Sequence, residues 1–159
     1  MLHIVLFSPQ IPPNTGNIGR MCTVTGCGLH LVEPIGFSLE EKQLRRAGLD
    51  YWQHLGVQLH QSEAAFLEYV QQRGGTLHGI TTKADRPYTE IAVDDAREHF
   101  VLFGNEVAGL SDRLHQACGE RRYRIPMGPA EYCRSLNLAS SAAVVIYDIL
   151  RRTGFPGMA

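Results

Sequence analysis

The sequence predicts an α/β domain with a mainly parallel sheet flanked by helices. Short apolar runs recur at residues 4–7, 29–32, 57–59, 77–80, 100–103 and 123–125. Most are β-branched or aromatic, bounded by Gly or Pro, and non-alternating, as strands covered on both faces require. Helical candidates lie between them at 15–25, 40–47, 62–72 and 110–118. Strand and helix therefore alternate, the pattern of an α/β domain with a mainly parallel sheet.

The opening run Met1-Leu2-His3-Ile4-Val5-Leu6-Phe7 lacks a basic n-region and runs straight into Pro9. It reads as a first buried strand rather than a signal peptide. No internal repeat, low-complexity stretch or linker interrupts the chain, so residues 1–159 read as a single domain. The last helix, expected over 135–152, differs from the rest. It is apolar on most sides, and only Asn137, Ser141 and Asp148 mark a partial polar stripe. Such a helix is expected to be buried all round, and in a chain this short that points to a second subunit.

Composition narrows the function. With 44% apolar and 19% charged residues the chain can build an ordinary globular core. No stretch approaches the roughly 20 consecutive apolar residues of a membrane span, so a cytoplasmic location is expected. Cys22, Cys27, Cys118 and Cys133 contain no C-x-x-C pair, and the seven histidines show no ligand spacing. Neither a metal nor a disulfide framework is expected. The net charge of −1 argues against indiscriminate coating of nucleic acid. The positive charge is nearly all arginine, thirteen against Lys42 and Lys83. Arginine suits bidentate phosphate contact, although a codon bias would give the same count.

Three segments carry chemistry. Pro12-Pro13-Asn14-Thr15-Gly16-Asn17-Ile18-Gly19-Arg20 comes after the first strand, where α/β sheets bind ligands. Asn14 or Thr15 is expected to cap the next helix and leave N–H groups free for an anion. Phe103-Gly104-Asn105-Glu106-Val107-Ala108-Gly109-Leu110 again comes directly after a buried strand. Gly104 is expected to let a ligand approach the backbone, and Glu106 is either a pocket carboxylate or part of a solvated turn. The segment is neither G-x-G-x-x-G nor a Walker loop. The third runs from Arg124-Ile125-Pro126-Met127 to Arg134-Ser135-Leu136-Asn137-Leu138-Ala139, where a strand ends and a helix opens at Ser135 and Asn137.

Taken together, the three segments resemble the motifs of the SpoU branch of the SPOUT methyltransferases. Asn14-x5-Arg20 is similar to the first motif and Gly104-x-Glu106-x-x-Gly109-Leu110 to the second. Ile125-Pro126-Met127 with Ser135-x-Asn137-x-Ala139 is similar to the third. Further likeness lies in Asn14–Ile18, in 33–37, in 44–51 and in Thr81-Thr82-Lys83, matching the minimal bacterial branch that methylates the wobble ribose of tRNA. Gly19 departs from it, standing where a branched apolar residue is usual.

The resemblance implies a C-terminal deep trefoil knot, a homodimer and S-adenosylmethionine as cofactor. It implies that Ile80, Gly104, Ile125 and Ser135 hold the cofactor, and that Arg20, Asn14, Glu106 and Asn137 face the reacting ribose. It implies 2′-O-methylation of nucleotide 34 within the tRNA anticodon stem-loop, with leucine isoacceptors as substrates. Among the arginines, Arg45, Arg46, Arg121, Arg122, Arg134, Arg151 and Arg152 are candidates for phosphate contact, and each cluster reads equally as a solvated helix face. The competing readings are methylation at another RNA position, a non-catalytic RNA-binding module, and a small-molecule NAD-type enzyme whose glycine fingerprint is missing.

Overall fold

Alternate residues of the central strands face opposite sides of one sheet, and both sides are apolar. Ile4, Leu6, Val101 and Phe103 point into one core cluster, and Val5, Phe100 and Leu102 into another. A sheet of that kind must be covered on both faces. The computed structural model describes residues 1–39, 50–129, 132 and 135–159. Within them lie β1 (Leu2–Phe7), β2 (Gly28–Val32), β3 (Gln58–His60), β4 (Thr76–Ile80), β5 (His99–Phe103) and β6 (Arg122–Tyr123). They form one parallel sheet in the order β3-β2-β1-β5-β4-β6.

Every apolar run contributes to a strand. The sixth stops short of Ile125, since Arg124 makes only an isolated bridge to Pro87 and Pro126 is next but one. The helices are α1 (Pro12–Thr25), α2 (Glu63–Gln72), α3 (Asp112–Cys118) and α4 (Leu138–Arg152). The candidate helix at 40–47 lies outside the described residues. α1 and α4 supply Ile18, Met21, Cys22, Val145, Ile146 and Ile149 to the first cluster. α2 and α3 supply Phe66, Val70, Leu114 and Cys118 to the second.

Helix starts differ from the sequence reading in an informative way. α1 opens at Pro12, whose fixed φ suits a first helical position. Neither Asn14 nor Thr15 caps it: both lie inside the first turn and are buried, and Ile11 at the N-cap has no side-chain cap bond. α2 and α3 are capped by Ser62 and Ser111, which accept from the N–H groups of Ala65 and Leu114. α4 is capped by Asn137 and begins at Leu138, so Ser135 sits before the helix.

Within the single chain, two features of the packing stand out. α4 is buried on one side within the chain, through Ala142, Val145, Ile146, Ile149 and Leu150, while Val144 is 40% and Tyr147 41% exposed. The histidines gather in a way that their spacing along the sequence does not show. His3, His30, His60, His78 and His99, one on each of the first five strands, are all buried. His30 Nδ1 lies 2.9 Å from His60 Nε2, and His30 Nε2 lies 3.0 Å from His3 Nδ1. A second pair joins His78 Nε2 to His99 Nδ1 at 3.1 Å. Gly19 also finds its reason here: a Cβ there would lie 3.0 Å from Leu55 and 3.2 Å from Trp52, whose side chains cover that part of α1.

No helix among the described residues is long and apolar enough to cross a membrane. Among the same residues no three His, Cys, Asp or Glu side chains are grouped to hold a metal ion.

Candidate active site

In a parallel sheet the crevice for a ligand opens at the carboxyl ends of the strands, where the order of connections reverses. Here β1 lies between β2 and β5, so the chain leaves it toward one edge and later fills the other. The loops after β1 and β5 therefore meet above the same crevice. They are the first and second segments singled out in the sequence.

Glu106 joins them. Its Oε2 accepts from the Gln10 N–H at 2.9 Å and its Oε1 from the Ile11 N–H at 3.1 Å. The carboxylate thus supplies, from the β5 loop, the cap that α1 lacks in its own sequence, and places negative charge at a helix N-terminus. Asn14 Nδ2 donates to Glu106 Oε1 at 3.3 Å, and Asn137 Nδ2 donates to Asn14 Oδ1 at 2.9 Å. Asn137 Oδ1 in turn accepts from the N–H groups of Ala139 and Ser140, fixing the start of α4. One chain of hydrogen bonds therefore ties α1, the β5 loop and α4 together.

The β5 loop is rigid for local reasons. Asn105 Oδ1 accepts from the N–H groups of Val107 and Ala108, and Asn105 Nδ2 donates to the Ser8 carbonyl at 2.8 Å. The backbones of Asn105 and Gly109 exchange two hydrogen bonds. A Cβ on Gly104 would lie 2.2 Å from the Gly109 carbonyl carbon and 2.4 Å from the Leu110 nitrogen. Gly104 is required by the loop's own backbone, a reason the sequence reading assigned to a ligand. Gly109, at φ 74°, takes the left-handed turn that closes the loop.

A cavity of about 650 Å³ lies against this loop. Seven of the eight residues named from the sequence line it: Asn14, Glu106, Asn137, Ile80, Gly104, Ile125 and Ser135. Leu110, Met127 and Leu138 extend its apolar wall. The sequence reading did not single out Lys83 or His115 as lining residues, though both are. Thr81-Thr82-Lys83 was visible as a polar tripeptide ending a strand, whereas nothing in the spacing of His115 marked it.

Arg20 is the eighth residue, and it stands apart. It is exposed on α1, with its guanidinium carbon 5.6 Å from the centre of the Tyr51 ring, and does not line the cavity. Six residues along a helix is about 600° of rotation, which turns Arg20 to a different face from Asn14. The Tyr51 hydroxyl donates to the Gly16 carbonyl, holding that ring against α1. Other arginines are committed to the fold. Arg121 donates to the Leu77 carbonyl and Arg122 to the Gly119 carbonyl. Arg151 and Arg152 both pair with Asp148, and Arg152 also reaches the Ile91 carbonyl. Arg45, Arg46, Arg134 and Cys133 lie outside the described residues.

Known proteins resemble the chain over nearly its whole length. A relative from Methylovorus glucosotrophus, named tRNA (cytidine(34)-2′-O)-methyltransferase, is 46% identical over 99% of both chains. One of the same name from Escherichia coli K12 is 42% identical over 99% of this chain and 97% of its own. A solved structure from a study of 2-OH methylation of C/U34 on tRNA superposes with a TM-score of 0.82 at 38% identity, covering 97% of each chain. The SpoU methyltransferase AviRb from Streptomyces viridochromogenes, solved with AdoMet, shares the fold at a TM-score of 0.81 and 24% identity. That match covers 96% of this chain and 60% of AviRb. The family model described as SpoU rRNA Methylase matches residues 1–147, and with the near full-length relatives it shows that this chain belongs to the SpoU methylase family.

Proposed function

We propose that this protein methylates the 2′-oxygen of the wobble nucleotide, position 34, of tRNA, using S-adenosylmethionine, with leucine isoacceptors as substrates. The observation that carries this reading is the hydrogen-bonded line Glu106–Asn14–Asn137, which joins all three motif segments beside one largely apolar cavity. The names of near full-length relatives support the substrate.

The cavity suits the cofactor. About 650 Å³ falls within the usual range for a small-molecule site. Ile80 and Ile125 offer apolar walls, and the Gly104 and Ser135 segments bring backbone and hydroxyl groups to its edge. When bound, S-adenosylmethionine supplies a methyl group already activated on a sulfonium, so no metal is needed. The protein's part is positional. Asn14, Glu106 and Asn137 would hold and orient the ribose so that its 2′-oxygen faces the bound cofactor. The 2′-proton would pass to the adjacent phosphate or to water. Arg20 is a poor base, because a guanidinium does not give up a proton in a protein. Its role in this reading is to clamp the adjacent RNA phosphate and stabilise charge developing on the oxygen. Its exposed position suits contact with RNA better than contact with cofactor.

The same reading takes residues 1–159 as one SPOUT domain in the cytoplasm, with a deep trefoil knot at its C-terminal end. It takes the working unit as a homodimer that grips the anticodon stem-loop with the surface of this domain. Exposed Val144 and Tyr147 on α4, with Val24 on α1, give that dimer an apolar surface to cover. The anticodon loop suits such an enzyme because its unstacked nucleotides expose ribose and base edges together. The test is mass spectrometry of nuclease fragments of tRNA from a strain lacking this protein, before and after the purified enzyme is added. A methyl restored at the wobble ribose of leucine tRNAs is the expected result. Restoration at another tRNA or ribosomal RNA position, with nucleotide 34 unchanged, would overturn the substrate and leave the reaction class.

A further inference from the structure

We propose that His115 and Lys83 form the subsite for the carboxylate of the cofactor's amino-acid tail. The proposal rests on reading the cavity as the S-adenosylmethionine site, and it adds two residues that the family motifs do not contain.

His115 is the unusual group. It lies on α3, is only 8% exposed, and is part of the cavity wall. Both of its ring nitrogens are shielded from solvent, and neither has a hydrogen-bond partner among the described residues. The other buried histidines differ: His3, His30, His60, His78 and His99 each have at least one ring nitrogen paired with a neighbour. A buried polar group with neither partner is costly and calls for an explanation. Here the side chain borders a ligand cavity, so a ligand group can supply what the protein does not, once the ring turns toward it.

The surrounding charge selects which group. Lys83, on the loop after β4, lines the same cavity. Lys83 and Arg122 of β6 both act on His115 as positive neighbours, with Asp112 on its own helix the opposing charge. Burial, and then those two cations, lower the pKa of the imidazole. Glu106 borders the same cavity, but its carboxylate already accepts from the Gln10 and Ile11 N–H groups and the Asn14 amide, whereas Lys83 lies close enough to act on the charge of His115. The amino-acid tail of the cofactor ends in one carboxylate, the anionic group that such a cation and an imidazole N–H can take. Lys83 and a donating His115 favour the anion.

Two commercial ligands separate this from simpler explanations. S-adenosylhomocysteine retains the amino-acid tail, and 5′-methylthioadenosine lacks it. Isothermal titration of the intact protein with each should show the tailed ligand binding more tightly. His115→Leu and Lys83→Met should each weaken S-adenosylhomocysteine by about tenfold or more, the scale of one charge-assisted hydrogen bond. Binding of 5′-methylthioadenosine should stay within about twofold. An arriving carboxylate raises the His115 pKa, so binding near pH 6 should take up protons. Titrations in two buffers of different ionisation enthalpy read that uptake directly. Uptake should be present with S-adenosylhomocysteine, absent with 5′-methylthioadenosine and absent in His115→Leu.

Equal weakening of both ligands in His115→Leu, or no weakening of either, would overturn the carboxylate subsite while leaving the cavity as a nucleoside site. If His115→Leu does not fold, Lys83→Met and proton uptake by the unmodified protein decide the matter. Failure of the unmodified protein to bind either ligand would overturn the cofactor reading itself and this subsite with it.

Discussion

Mild acid should destabilise this protein well before its carboxylates protonate. His30 and His78 are each 1% exposed and sit in separate histidine clusters. Burial, then the neighbouring His3 and His60, push His30 down to about 3. Burial, then His99 and Arg121, push His78 down to about 4. In the unfolded chain both titrate near about 6.5. A folded-state pKa below the unfolded one means that stability is fully present above pH 6.5 and is lost as pH falls toward the folded value. At pH 5 each side chain is about 1.5 pH units below its unfolded pKa while still neutral in the folded protein. That costs about 2 kcal/mol apiece, or about 4 kcal/mol together, relative to pH 7. The pKa values of His3 and His60 are lowered too, in the same direction. Glu98 and Asp94 are held below their ordinary range, Glu98 chiefly by its bond with Arg73 and Asp94 by backbone N–H groups, so neither protonates in this window. Against a total of about 5–15 kcal/mol for a domain, the loss is large. Urea denaturation at pH 7, 6 and 5, at one protein concentration and ionic strength, should show the midpoint falling by about 2 M with little change in slope, for a slope of about 2 kcal/mol/M. A change below about 1 kcal/mol between pH 7 and 5, or His30 and His78 ring resonances titrating near pH 6.5 in the folded protein, would refute the reasoning.

Gly104→Ala should lower the urea midpoint as well as cofactor affinity, since its Cβ would meet the Gly109 and Leu110 backbone at 2.2–2.4 Å; a fully stable Gly104→Ala protein would contradict that clash. Glu106→Ala strands the Gln10 and Ile11 N–H groups and the Asn14 amide. It should cost about 1–3 kcal/mol by chemical denaturation in addition to methyl transfer, and an unchanged midpoint would show that water replaces the carboxylate freely. Arg20→Ala and Arg20→Lys should keep the fold and the affinity for S-adenosylhomocysteine while losing most methyl transfer to tRNA, because an ammonium cannot reproduce the guanidinium fork. Near-normal turnover in Arg20→Lys would remove Arg20 from the proposed role.

Strand content was legible because burial on both faces writes itself into the sequence as uninterrupted apolar runs, and each of the six runs contributes to a strand. Helix starts were less legible where the cap comes from elsewhere. Ser62 and Ser111 cap their own helices and their positions can be read from sequence, but α1 takes its cap from Glu106, more than ninety residues away. A local rule that looks for Ser, Thr, Asp or Asn near the first turn then selects Asn14, which is inside the helix. The buried histidines were hidden for a related reason. His3, His30 and His60 are each ordinary within their own strands, and only the β1–β2–β3 register lines them up.

The same distinction changes what the motif residues mean. The family resemblance names Asn14, Glu106 and Asn137, but only as three side chains presented to a ligand. The hydrogen bonds show that each also holds a part of the fold: Glu106 the start of α1, Asn137 the start of α4, and Asn14 the link between them. Residues of this kind need not be separated into catalytic and architectural sets. A site assembled from three distant loops stays in place only if something ties the loops together. When the tie is made by the same polar groups that meet the substrate, losing one should loosen both the fold and the site. Arg20 and His115 lie outside that line of hydrogen bonds, so their substitution can separate function from folding, which a change at Glu106 cannot.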